Sequence, residues 1–265
     1  MQLNTIYNEN CLDTMAKMPN EFIDLVVASP PYDGLRTYNG YSFEFESIAK
    51  ELSRVIKQGG VIVWIVNDVV IDGSETLTSF KQAIYFKEIC GLNVHDTMFY
   101  GKRNYMPSNQ NRYCQQVEYC FVFSKGKPKT FNGITEKSIH AGKVLKRTQS
   151  KNYESASNRA RANTTAEQKL MGNYWEYDVG TNCSTKDEVA NNHPAIFPEK
   201  LVQDHIFTWS NEGDLIYDCF GGSGTTGKMA HLQKRNWILS EISKEYVTDI
   251  AEKRLKGYLS QTFLF

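Results

Sequence analysis

The sequence predicts an α/β fold with a mostly parallel sheet, and three observations lead there. The run Ile23–Ala28 (Ile-Asp-Leu-Val-Val-Ala) is apolar almost throughout and rich in β-branched residues, as a strand buried on both faces must be. Residues 214–219 read as a second short strand, which runs through the glycine-rich stretch 220–227 into a helix at 226–232. Between them, residues 45–56 carry amphipathic helical spacing, closed by Gly59-Gly60 and followed by the apolar run 61–66. With 265 residues, 41% of them hydrophobic, the chain can bury one such core and still hold a modest insertion.

The other elements follow in order. Residues 3–7 form a candidate strand and 11–18 a short helix. Residues 79–90 read as a helix stopped by Gly91. The stretches 94–100 and 117–124 are strands, paired as a hairpin around a polar loop. Residues 237–241 are the strand after the glycine loop.

Ser29-Pro30-Pro31-Tyr32 ends the first apolar run. Two prolines fix φ at successive positions, carry no N–H and restrict the residue before each of them. The carbonyls of Ser29 and Pro30 are thereby aimed rigidly off the strand end, with an aromatic ring following. Such a tip accepts hydrogen bonds from a planar amino group while Tyr32 stacks on the ring that bears it.

Gly222, Gly224 and Gly227 form G-x-G-x-x-G in the strand–turn–helix setting the fingerprint requires, and Glu241 lies roughly 20 residues beyond, at the distance of a ribose partner. Amides at the start of the helix favour a negative group such as a carboxylate. A nicotinamide-binding domain opens with this fingerprint; here only 38 residues follow Gly227, so the rest of the sheet is expected from earlier in the chain. The Pro-Pro strand then precedes the cofactor loop in sequence and neighbours it in space, with both tips on one crevice.

These motifs resemble those of the β-class S-adenosylmethionine-dependent amino-methyltransferases of DNA. The resemblance covers most of the chain outside roughly 126–190. Ser29-Pro30-Pro31-Tyr32 matches the family's [D/N/S]-P-P-[Y/F] catalytic motif, and Phe220, Gly222 and Gly224 match its F-x-G-x-G loop, with Glu241 as the following acid. His193-Pro194-Ala-Ile-Phe197-Pro198 matches the segment that lines the methionine end of the cofactor, and residues 51–60 resemble the helix and turn leading to the next strand. Two positions depart from the pattern. Asp218-Cys219-Phe220 stands where the family carries Asp-Pro-Phe, and Glu9-Asn10-Cys11 where it has Gly-Asp-Cys, so Asn10 would meet the adenine amino group through its side-chain carbonyl. The resemblance implies a Rossmann-like methyltransferase sheet, mostly parallel with an antiparallel strand, permuted so that the catalytic motif precedes the cofactor motif. It implies a catalytic and cofactor domain over 1–125 and 191–265, a target-recognition insertion over 126–190, and cofactor contacts from Asn10, Cys11, His193, Pro194, Phe197, Asp218, Phe220, Gly222, Ser223, Gly224, Thr225 and Glu241.

Composition bears on the partners. The six cysteines are scattered, with no C-x-x-C pair, which points to reduced thiols and away from a metal site. There is no Pro-Cys pair to serve as the nucleophile that methylation of cytosine at carbon needs. No apolar stretch reaches the ~20 residues of a membrane span, and no secretory signal is visible, so a cytoplasmic protein is expected; the resemblance implies nucleoid association and a bacterial or phage type. The net charge is zero, but residues 125–169 hold eleven Lys and Arg against three Glu, so one interval is strongly basic. In that interval Lys143, Lys146, Arg147, Arg159 and Arg161, with Arg36, Arg103 and Arg112 outside it, are the candidates for holding phosphates and reading bases of double-stranded DNA. Lys102 extends that surface, while Trp175 and Tyr177 read as the hydrophobic closure of the insertion.

In this family Ser at the first motif position accompanies the N-4 amine of cytosine, and Asp or Asn the N-6 amine of adenine. The expected reaction is therefore methylation of a flipped cytosine at N-4, with adenine N-6 as the alternative. A homodimer and a cognate restriction endonuclease stay open as partners. An NAD-dependent oxidoreductase, a DNA-binding module that has lost catalysis, and a methyltransferase acting on RNA or protein are disfavoured.

Overall fold

The structure is a computed structural model that describes residues 1–31, 43–107, 111–145, 163–164 and 166–259. Two compact units emerge, one from Met1–Asn132 with Asn173–Phe265 and one from Gly133–Gly172.

The larger unit begins with β1 (Thr5–Tyr7), α1 (Cys11–Ala16), β2 (Ile23–Ala28), α2 (Phe45–Val55) and β3 (Ile56–Val66). A small hairpin of β4 (Val70–Ile71) and β5 (Ser74–Glu75) leads to α3 (Thr78–Glu88), then to β6 (Asn93–Lys102) and β7 (Val117–Ser124). The smaller unit holds two antiparallel pairs, β8 (Thr135–Lys137) with β11 (Gln168–Leu170) and β9 (Val144–Leu145) with β10 (Asn163–Thr164). The larger unit resumes with β12 (Tyr174–Tyr177), α4 (Glu199–Trp209), β13 (Leu215–Asp218), α5 (Thr225–Leu232) and β14 (Asn236–Ser240), and closes with a π turn, Tyr246–Ala251, running into α6 (Glu252–Leu259).

Eight strands form one sheet in the order β1-β14-β13-β2-β3-β7-β6-β12. All neighbours run parallel except at β7, which is antiparallel to both β3 and β6. The mostly parallel sheet with one antiparallel strand and the hairpin of the last two long strands are thus as the sequence predicted. β13 leads through α5 outward to β14, while β2 leads through α2 outward to β3. Strand order therefore reverses between the neighbours β13 and β2, the place where open α/β sheets hold their ligands.

β2 is buried at every residue, including Asp24. A buried carboxylate needs partners, and Asp24 has three: the Leu215 amide at 2.9 Å, Lys57 at 2.8 Å and Lys129. Burial pushes its pKa up, but these bonds outweigh it and hold the group below its usual range. The charge sits at the amino end of the strand, away from the tip. On α2, Ile48, Ala49, Leu52 and Val55 turn one face to a core whose aromatic centre is Trp64, Phe86 and Phe123.

The turn after α2 differs from expectation. The helix ends at Val55 and passes straight into β3, so Gly59 and Gly60 lie within the strand. They occupy an irregularity where the pairing with β2 slips between Ile23 and Leu25. Gly59 has φ +76°, and a Cβ on Gly60 would lie 2.8 Å from Ile56 Cγ1. Glycine is required there by the bulge, not by a helix stop.

The second compact unit, Gly133–Gly172, spans less than the interval 126–190. Lys129 reaches Asp24, and Asn132 bonds the carbonyls of Phe207 and Ser210 at the end of α4. Trp175 and Tyr177 are the buried residues of β12, parallel to β6 at the sheet edge. They therefore complete the main sheet. No helix among the described residues is long and apolar enough to cross a membrane.

Candidate active site

The carboxyl ends of β2, β3, β13 and β14 open on one cavity of about 2280 Å³. Ser29, Pro30 and Pro31 line one wall; Asp218, Phe220, Gly222, Ser223, Thr225 and Glu241 line the facing one; Asn10, Cys11, His193, Pro194 and Phe197 also border it. The sheet topology brings these separate segments together, as the sequence predicted for the two tips. Tyr32 and Arg36 lie outside the described residues.

The glycine loop is held from three directions. Asp218 accepts the Phe220 amide at 2.9 Å on one oxygen and the Thr226 hydroxyl at 2.6 Å on the other, tying the strand end to the first turn of α5. Gly221 donates to the Ser240 carbonyl at 2.8 Å. Gly222 donates to Glu241 Oε2 at 2.8 Å, while Glu241 Oε1 accepts the Ser243 amide at 2.8 Å. Gly222 adopts φ +49°, and a Cβ there would come within 3.1 Å of His193 Nε2. Gly224, with φ +78°, precedes α5 as its cap and does not border the cavity. Gly227 packs α5 onto β14: a Cβ would lie 3.0 Å from Leu239 Cδ1 and 3.1 Å from Trp237 Cε3.

Electrostatics divide the acids. Asp218 is buried and its pKa is pushed up to about 6 by that burial, against the pull of its two hydrogen bonds. Its oxygens hold the loop rather than face a ligand. Burial also raises Glu241, which the amides of Ser243 and Gly222 partly offset. An ionised carboxylate has about four acceptor sites, so after the amides of Gly222, Ser243 and Ile242 Glu241 keeps spare acceptor capacity toward the cavity. The Cys11 thiol, buried behind the cavity, is pushed up to about 12. His193 sets its ring edge-on to Tyr246 at 4.5 Å, with Nδ1 2.8 Å from the Ala195 carbonyl. Asn10 uses its side-chain carbonyl to cap α1, accepting the Leu12 amide at 2.9 Å. That oxygen retains one lone pair for a ligand.

The expected nucleic-acid residues fare differently. Arg103 pairs with Asp178 at 3.4 Å and donates to the Glu176 carbonyl. Arg112 pairs with Glu75 at 3.7 Å and donates to the Gly73 carbonyl, and Lys102 pairs with Glu118. Lys143 is exposed in the smaller unit. Lys146, Arg147, Arg159 and Arg161 lie outside the described residues.

A charged cluster behind the loop escaped the sequence reading. Arg254 on α6, with no side-chain exposure, pairs with Asp187 at 2.7 Å and Glu199 at 2.6 Å; Lys228 of α5 pairs with the same two acids at 2.8 and 2.6 Å. Burial raises Asp187, but bonds from Lys228, Tyr258 and Arg254 prevail and bring it down to about 2. The available signal was a charge in phase with Val247, Ile250 and Ala251 on the buried stripe of a helix.

A proline-stiffened strand tip facing a glycine loop with a ribose-spaced acid defines an S-adenosylmethionine-dependent methyltransferase with a Rossmann-like sheet. The glycine cradle and the spare acceptors of Glu241 fit an adenosyl cofactor with an amino-acid tail. Comparison with known proteins narrows the class. Residues 23–253 match the N6/N4 DNA methylase family, and the chain belongs to it. It is 52% identical over 240 residues to the orphan methyltransferase M.BamHII of Bacillus amyloliquefaciens, covering 89% of this chain and 90% of that protein. It is 27% identical to the DNA adenine methyltransferase YhdJ of Escherichia coli strain K12, over 93% and 81% of the two chains. Among solved structures, the PvuII cytosine-N4-specific DNA methyltransferase shares the fold with a TM-score of 0.68 at 22% identity, over 96% and 90% of the chains. The complex of M1.HpyAVI with S-adenosylmethionine does so with a TM-score of 0.59 at 23% identity, over 95% and 99%. The protein is therefore an S-adenosylmethionine-dependent DNA methyltransferase.

Proposed function

We propose that this chain methylates the exocyclic N-4 amine of a cytosine flipped out of duplex DNA at a specific site. The observation that carries this reading is Ser29 at the first position of the catalytic motif, on the wall that faces the glycine loop. Both base types occur among the names of similar proteins, so the motif residue decides. A short neutral hydroxyl suits the smaller pyrimidine and does not set a carboxylate against its acceptor-rich edge.

When bound, S-adenosylmethionine supplies a sulfonium methyl, already a good electrophile. The protein's task is to position and polarise a poor nucleophile, since an exocyclic amine has its lone pair drawn into the ring. The Ser29 side chain and the Pro30 carbonyl each accept an amine hydrogen, which returns electron density to the nitrogen as it takes the methyl; the methyl–sulfur bond breaks to leave a neutral thioether, and the surplus amine proton passes to solvent. Pro30 and Pro31 keep that carbonyl in place without rearrangement during the reaction. Tyr32 stacks on the flipped ring. A stacked base is out of reach, and flipping costs a few kcal/mol. Basic residues of the 126–190 interval, Lys143, Lys146, Arg147, Arg159 and Arg161 among them, offset that cost through the flanking phosphates, with Arg36, Arg103 and Arg112 on the catalytic side. The reading places the enzyme at the bacterial nucleoid and admits a homodimer and a cognate endonuclease.

Incubation with unmethylated DNA and S-adenosylmethionine, followed by nucleoside mass spectrometry, is the test. N-4-methylcytosine is expected. N-6-methyladenine would overturn the choice of base while leaving the enzyme class intact.

A further inference from the structure

We propose that Arg254 is a positioning residue for the cofactor: it fixes the hydroxyls of Ser223 and Thr225 as donors into the cavity, where they receive the carboxylate of the cofactor's amino-acid tail. The inference rests on the cofactor assignment and adds the residue that sets the polarity of this corner of the site.

A guanidinium has five N–H donors and no acceptor. Arg254 Nε points to Asp187 at 2.7 Å, and Nη2 to Glu199 at 2.6 Å and the Thr185 hydroxyl at 3.2 Å. Those two acids are also held by Lys228, and Asp187 further by the Tyr258 hydroxyl at 2.7 Å. The acids thus face the Nε and Nη2 side, and the Nη1 edge is turned on the loop. Nη1 donates to the Ser223 carbonyl at 3.0 Å, to Ser223 Oγ at 3.2 Å and to Thr225 Oγ1 at 2.8 Å.

Two N–H groups on Nη1 are shared among three oxygens, and because a guanidinium accepts nothing, neither hydroxyl can spend its own proton on Arg254. They lie 3.3 Å apart, so one can donate to the other. Two protons and at most one mutual bond leave at least one O–H directed elsewhere. Both residues border the cavity that Arg254 does not reach. The corner accordingly presents a hydroxyl donor, one hydrogen bond removed from a buried cation, beside the opening turn of an eight-residue helix. Such a corner suits an anion and disfavours an ammonium group. The negative group of the cofactor is its carboxylate.

The test compares S-adenosylmethionine with its decarboxylated form, which keeps the sulfonium and the ammonium, by calorimetry without DNA. Wild-type protein should prefer the carboxylate-bearing ligand. Arg254→Met should weaken S-adenosylmethionine roughly tenfold and leave the decarboxylated ligand within about twofold, so that the preference collapses. Arg254→Lys should recover part of it. The double variant Ser223→Ala, Thr225→Val leaves every buried charge in place and should lose the same preference, which keeps the test alive if Arg254→Met does not fold. An equal loss for both ligands would reduce Arg254 to a structural strut, and an unchanged preference in the double variant would overturn the proposal. Wild-type protein that binds neither ligand would instead sink the cofactor assignment itself.

Discussion

The two walls of the cavity are kept rigid by opposite means. At the end of β2, stiffness is covalent: Pro30 and Pro31 lock the backbone, and its direction follows from ring geometry. At the end of β13 it is assembled from long-range bonds. Asp218 grips the loop from the strand, Glu241 from the next strand and Arg254 from a helix some thirty residues further on. A covalent device survives single substitutions nearby; a network does not. Changes at the β2 tip should therefore alter the chemical step alone, and changes at the β13 loop should move affinity and stability together.

The largest expected effect separates the walls most sharply. Ser29→Ala should lower kcat by roughly 10²–10³-fold, the magnitude typical of losing one polar contact to a group whose charge changes in the transition state. Its Kd for S-adenosylmethionine should stay within about twofold of wild type. A parallel loss of cofactor affinity would erase the division proposed here.

The network wall should carry a pH signature. Asp218 holds its proton up to about pH 6 in the folded state but ordinarily releases it at 3.8. Across that window the folded protein binds more protons, so stability falls as pH rises from about 4 to 6, by about 3 kcal/mol. Asp218→Asn keeps an acceptor for the Phe220 amide and should flatten that slope in urea titrations. Asp187 behaves in the opposite sense, with a folded value of about 2 against 3.8. Its contribution is complete above pH 4 and should drain away as pH falls toward 2, by about 2 kcal/mol. Denaturation curves of Asp187→Asn between pH 2 and 5 would show whether that second slope disappears.

Glu241→Gln gives the smallest change. The amide oxygen can still accept from Gly222, while the Ser243 amide loses its acceptor and the charge-assisted bond proposed to a ribose hydroxyl goes with it. About a tenfold rise in Kd for S-adenosylmethionine is expected, with kcat at saturation near wild type. A fall in kcat without a change in Kd would place the acid on the chemical side of the cavity.

The covalent wall was the legible one. Pro30 and Pro31 declare their geometry wherever they stand, and so do Gly222, Gly224 and Gly227 once the flanking strand and helix are recognised. Glu241 was found by spacing, because one short helix separates it from the loop. What could not be read depended on partners distant in sequence. Asp24 looked like a blemish in an apolar strand until Lys57 and Lys129 were seen beside it. Arg254 was not singled out in the sequence, because its partners Asp187 and Glu199 lie more than fifty residues before it. Residues 174–177 alternate exposed and buried like any edge strand. Nothing in four residues tells which sheet they join, so Trp175 and Tyr177 were expected in the insertion. Gly59 resembles a helix stop because a strand bulge and a cap ask for the same positive φ.

Asn132 is clamped to the carbonyls of Phe207 and Ser210, and Asn173 to that of Thr97. Both clamps belong to the frame that carries the sheet, and the whole of Gly133–Gly172 is strung between them. This is a socket with two fixed pins. A segment between Asn132 and Asn173 can differ in length or sequence while both pins stay seated, so a change in the one unit need not disturb the sheet that holds the cavity.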